Sequence, residues 1–97
     1  MLSPRVQSLI TKCFSPEDET FAAELLAQYA ESLASSGWKI DNDRVLIAII
    51  KTSSGSIDYL ITSIEAAEQD WRDVLMGADF GHDIEAHLHW NPDSDGR

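Results

Sequence analysis

All three histidines of the chain, His82, His87 and His89, fall in one short acidic stretch that also holds Asp79, Asp83 and Glu85. Imidazole and carboxylate together form a ligand set for zinc and related metals, which need three or four donors converging at about 2.0–2.2 Å. Spacing decides whether they converge. On a helix only i,i+3 and i,i+4 positions share a face, which joins Asp83 to His87 and Glu85 to His89 but aims the two pairs in different directions. His82 and His87 are five apart, and the chain contains neither an H-E-x-x-H nor a C-x-x-C motif. The expectation is a chain without a cofactor or a metal, with His82, Asp83 and His87 as the weak candidate ligands.

A second polar group surrounds Trp71: Asp70, Arg72 and Asp73, with Glu68 one turn earlier. Glu68 and Arg72 form an i,i+4 pair in the better orientation, worth about 0.2–0.5 kcal/mol. Arg72 is expected to serve structure, either in that pair or by reaching a carboxylate or helix end that fixes the packing of the last helix. Asp70, Arg72 and Asp73 would also make a polar site, but no neighbouring residue supplies the rest of a reaction centre.

The aromatic residues suggest contact rather than catalysis. Trp38 and Trp90 stand at segment ends, where tryptophan covers the edge of a core or anchors an interface. No serine, threonine or cysteine has a nucleophile signature such as G-x-S-x-G, and Ser53-Ser54-Gly55-Ser56 lacks the lysine and spacing of a phosphate loop. No catalytic residue is assigned. Cys13, the single cysteine, falls on the apolar spacing of Val6, Leu9 and Ile10 and reads as a small buried hydrophobe. One cysteine cannot form an internal disulfide, which fits a reducing compartment.

The elements that must position these residues are helical. Ser3-Pro4 opens the first helix, because serine at the cap accepts a backbone N–H and proline needs no donor at the first helical position. Ser15-Pro16-Glu17-Asp18 repeats the device with acids filling the first turn, where they complement the helix dipole. Phe21, Leu25, Tyr29 and Leu33 then recur every four residues, widened by Ala22, Leu26 and Ala30, until Ser35-Ser36-Gly37. The β-branched run Val45–Ile50 could be a strand by composition. Asp41, Asn42 or Asp43 can cap it, Ser53-Ser54-Gly55 stops it, and a lone strand among helices would leave its backbone groups without partners. It is expected to be the helix buried most nearly all round.

Ser56 caps the longest helix, from Ile57 to Ala78, whose apolar positions Leu60, Ile61, Ile64, Ala67, Trp71, Val74 and Leu75 keep the 3–4 spacing throughout. Residues from His82 to Trp90 can form a short final helix. The fold class expected is an all-α, four- to five-helix bundle-like domain spanning residues 1–90, with 91–97 as a flexible polar tail.

Charge narrows the partners. The chain carries 17 acids against 7 bases, net −10, with −5 in residues 15–36 and −8 in residues 56–97. Such a surface repels the phosphate backbone of nucleic acid and an anionic membrane, and attracts a basic protein. The longest apolar run has six residues, far below the ~18 of a membrane span. No apolar run sits behind a basic start as in a secretory signal, so the expected location is the cytoplasm.

From Arg44 onward the pattern resembles a group of small bacterial helical proteins of unknown function. The resemblance rests on R-V-x-x-A-x-x-K (Arg44, Val45, Ala48, Lys51), on Gly55, and on D-[WY]-R-D-V-L-x-x-A-x-F, here Asp70 to Phe80. An acidic segment with His87 closing on Trp90 completes it. It covers about the C-terminal half, implies a helical fold, and transfers no catalytic residue. The expectation is a non-enzymatic protein-interaction domain or homo-oligomer. The alternative is a small-molecule- or metal-binding protein or enzyme using Asp70–Asp73 and Asp79–His89.

Overall fold

The computed structural model describes residues 2–35, 42–78 and 80, and it is all-α. Its helices are α1 (Pro4–Cys13), α2 (Pro16–Ser35), α3 (Asn42–Ser53) and α4 (Ile57–Gly77). The connector around Trp38, the expected helix from His82 to Trp90 and the tail 91–97 lie outside the described residues.

At Ser3 and Ser56 the cap signals act as the sequence implies, and at Ser15 the hydroxyl engages a carboxylate instead. The Ser3 hydroxyl accepts the Val6 N–H at 3.2 Å and donates to Asp43 Oδ2 at 2.7 Å, so one side chain starts α1 and ties it to the first turn of α3. Ser56 Oγ accepts the Tyr59 N–H and starts α4. At Ser15 the backbone carbonyl accepts from Asp18 and Glu19, while the hydroxyl donates to the Asp18 carboxylate at 3.3 Å.

α3 is the centre of the domain. Every residue from Val45 to Ile50 is buried, so the continuous apolar run is a helix enclosed on all sides, as expected. It packs most extensively on α4 and also meets α1 and α2. Burial compensates for the low helix propensity of the β-branched residues, since each fully buried Ile or Val contributes about 1.5–3 kcal/mol against tenths for propensity.

The turn from α3 to α4 has positive φ at both Ser54 (52°) and Gly55 (83°), and the Ser56 N–H bonds back to the Ser53 carbonyl at 3.0 Å. Gly55 is required twice over. A Cβ there would lie 2.5 Å from the Cys13 carbonyl oxygen, so the turn passes directly over the end of α1. Cys13 itself is half-buried against the core.

Two expectations need correcting. Phe21 is 48% exposed, and the buried line of α2 is Ala22, Leu26, Tyr29 and Leu33. A strict four-residue spacing drifts about 40° per step on a helix of 3.6 residues per turn, so the Phe21 end of the stripe rotates out of the core. Nor is α4 one continuous helix. Asp70 has φ −159° and ψ 101°, an extended residue between two helical pieces, and Ala78 caps the end rather than belonging to the helix.

A cleft at the break in α4

The break has a local cause. Aspartate is poor in helix interiors because its carboxylate competes for backbone N–H groups, and it is favoured at N-caps for the same reason. Asp70 Oδ1 accepts both the Arg72 backbone N–H and the Arg72 Nε–H, each at 3.0 Å. It thereby caps the piece that follows and clasps the first charged side chain in it. The Arg72 guanidinium also lies over the Trp71 ring, 5.9 Å from its centroid.

This replaces the expected Glu68–Arg72 pair. An i,i+4 contact needs an unbroken turn between its members, and the extended residue at position 70 removes it. The bond from Arg72 holds the Asp70 carboxyl below the ordinary aspartate range, with the Arg72 backbone N–H adding to it; reciprocally, the bond to Asp70 pushes the guanidinium above its ordinary value.

Directly opposite the break stands α2. The Tyr29 side chain is buried, and its hydroxyl donates a long bond, 3.4 Å, to the Ala67 carbonyl in the last turn before Asp70. Burial raises the Tyr29 pKa above the ordinary tyrosine value, and the negative charge of Glu68 raises it further. Between the helices lies an open cleft of about 220 Å³ lined by Tyr29, Ser32 and Leu33 on one side and residues 67–72 on the other. Tyr29, Leu33 and Ala67 are buried and form its floor, Trp71 is half-buried, and Glu68, Gln69 and Arg72 stand exposed at its mouth.

The two helices that form the cleft are one-sided in charge. α2 contributes Glu17, Asp18, Glu19, Glu24 and Glu31, and α4 contributes Asp58, Glu65, Glu68, Asp70 and Asp73. Against these ten carboxylates the two helices carry one cation, Arg72, and that is bonded to Asp70.

No family model, curated protein or solved structure matches the chain.

The cleft brings together part of what the sequence singles out. Asp70 and Arg72 line it and are bonded to each other; Asp73 is exposed, does not line it, and acts on Arg72 only through its charge. Trp38, Trp90, His82, Asp83 and His87 lie outside the described residues. Among the described residues no three histidines, cysteines or acids are grouped so as to hold a metal ion. Tyr29, Ser32 and Leu33 were not candidates by sequence. The helical period puts Tyr29 and Leu33 on a buried face, but nothing local says which turn of α4 they meet.

A second polar contact joins α3 to the residues that follow α4. Arg44 Nη2 donates to the Phe80 carbonyl and Lys51 Nζ to the Ala78 carbonyl, both at 2.9 Å, and the ammonium lies 5.1 Å from the centre of the Phe80 ring. Arg44 and Lys51 are seven apart, two turns along one face of α3, and together they fasten the chain where it leaves α4. This is a structural clamp: the two cations bond carbonyls at the cap of α4 and just beyond it, on the side where positive charge complements the helix dipole.

Proposed function

We propose that this chain is a non-enzymatic protein-interaction domain whose contact surface is the α2/α4 face around the break at Asp70. The observation that carries the reading is an apolar-floored cleft with Glu68 and Asp70 in its lining, set between two helices that carry ten carboxylates in all against a single engaged cation. Nucleic acid and anionic lipid are repelled by that face, whereas a basic protein surface is steered toward it. None of the described helices is long and apolar enough to cross a membrane. We place the domain in the cytoplasm, in keeping with its single half-buried cysteine.

Between a heterologous partner and a second copy of the chain, charge favours the former. Two copies meeting through this face would bring their carboxylates together, which costs self-repulsion at every approach. A small-molecule or catalytic reading of the same cleft would use Asp70 and Arg72 as its polar groups. It is weakened because the Asp70 oxygen that would receive a ligand already accepts two bonds from Arg72.

The test is site-specific photocrosslinking in the native cell. A photoreactive residue at Ser32 or Gln69 is expected to give a discrete adduct with one partner, and the same residue at Thr11 on α1 none. Absence of adducts from both cleft positions, with a monomer at all concentrations in sedimentation, would sink the proposal.

A further inference from the structure

We infer that the cleft beside the α4 break seats one cationic side chain, a lysine or arginine, from a basic segment of the partner. The inference rests on the interaction reading and adds the chemistry of what is recognised.

Three observations converge on it. Glu68 stands at the mouth with no hydrogen-bonded partner among the described residues, and its charge is felt by the Tyr29 hydroxyl on the cleft floor. Leu33, Ala67 and Trp71 offer apolar surface against which the methylenes of a long cationic side chain can lie while its charged head remains at the rim. The chain itself supplies the precedent: Arg72 places a guanidinium over Trp71 while bonding a carboxylate, the same combination of aromatic face and anion. A bare metal ion does not fit this arrangement, because hard cations require several oxygens converging at about 2.0–2.6 Å rather than an apolar floor. An acidic segment is excluded by the carboxylates on both flanking helices.

The experiment is an NMR titration of the ¹⁵N-labelled full chain with a short glycine-flanked lysine peptide and with the same peptide acetylated at the lysine ammonium. Shifts are expected to concentrate at Ser32, Leu33 and residues 68–72, and to disappear with the acetylated peptide. Glu68→Gln should weaken binding about three- to fivefold, as loss of an exposed ion pair allows, while Glu17→Gln at the far end of α2 leaves it unchanged. Raising the salt from about 0.05 to about 0.5 M should weaken it as well.

Shifts spread evenly over the carboxylates, or equal effects of Glu68→Gln and Glu17→Gln, would overturn the inference by showing diffuse attraction only. Equal binding of the acetylated peptide in the cleft overturns the cationic occupant and leaves the interaction reading intact. No shift with either peptide also overturns the inference, and the interaction reading then stands or falls on the crosslinking alone.

Discussion

Asp70 Oδ1 accepts two bonds from Arg72, one from the backbone N–H and one from the side chain, each at 3.0 Å. The first sets the direction of the chain after the break, and the second holds the guanidinium above Trp71. Asp70→Asn keeps an acceptor for the backbone N–H but loses the ion pair; Asp70→Ala loses both. Thermal unfolding is expected to rank the variants wild type, Asn, Ala in decreasing stability. Because the folded-state carboxyl is held below its usual value, its contribution is complete above the unfolded value of 3.8 and is lost as the pH falls below it. The difference between wild type and Asp70→Asn should therefore shrink below that pH; a constant difference would contradict the pairing.

Tyr29 gives the opposite pH signature. Its folded-state pKa is raised above 10.0 by burial and by Glu68, so the associated stability is present below pH 10.0 and is lost as the pH rises through the folded value. Tyr29→Phe should cost about 0.5–1.5 kcal/mol near neutrality, for a hydroxyl bonded to a carbonyl. The stability of the same variant should fall less steeply than that of wild type as the pH rises past 10.0, read from urea midpoints at each pH.

Gly55→Ala tests the turn over α1. The new methyl meets the Cys13 carbonyl at 2.5 Å, and an L-residue at φ +83° is disfavoured in any case. The expected loss is roughly 2–4 kcal/mol, from the left-handed conformation plus the displaced backbone. A change under about 0.5 kcal/mol in urea unfolding, the range of ordinary surface substitutions, would mean that the turn is not as close as described.

Lys51→Met removes the ammonium from the Ala78 carbonyl and from the Phe80 ring while keeping an apolar stem. A global loss of about 1 kcal/mol is expected for a partly exposed charged hydrogen bond. Hydrogen exchange is the sharper readout: amide protection should fall at residues 74–80 more than in α1. Uniform loss across all helices would argue against a local clamp.

The core of α3 should respond as a closed interior. Ile47 and Ile49 have no exposed surface. Ile47→Ala is expected to cost about 2–5 kcal/mol and Ile49→Val about 0.5–1.5 kcal/mol, read from urea midpoints with an unchanged slope.

Legibility in the sequence followed the range of the interaction concerned. Ser3, Pro4 and Ser56 act on backbone groups three residues away, so the starts of α1 and α4 could be read directly. The enclosed helix Val45–Ile50 was readable because an uninterrupted apolar run leaves no face for water. Phe21 was misplaced because a spacing of four approximates a helical period without equalling it. The break at Asp70 was hidden for a different reason: the apolar 3–4 spacing continues across it, from Ala67 through Trp71 to Val74 and Leu75, and so looks like one helix.

Composition and local pattern therefore determined that the chain is helical, where most helices begin, that α3 lies inside, and that the surface is strongly acidic. These are properties of neighbouring residues, decided by backbone hydrogen bonds and by solvent. Only the tertiary structure decided that Tyr29 and Leu33 face the turn before Asp70, that Arg72 bonds Asp70 rather than Glu68, and that Lys51 and Arg44 hold the far end of α4. The second is a contact two residues apart that exists because the helix breaks at Asp70; the first and third depend on which residues are brought together across dozens of positions. That is set by how the whole core packs, and no segment carries it alone.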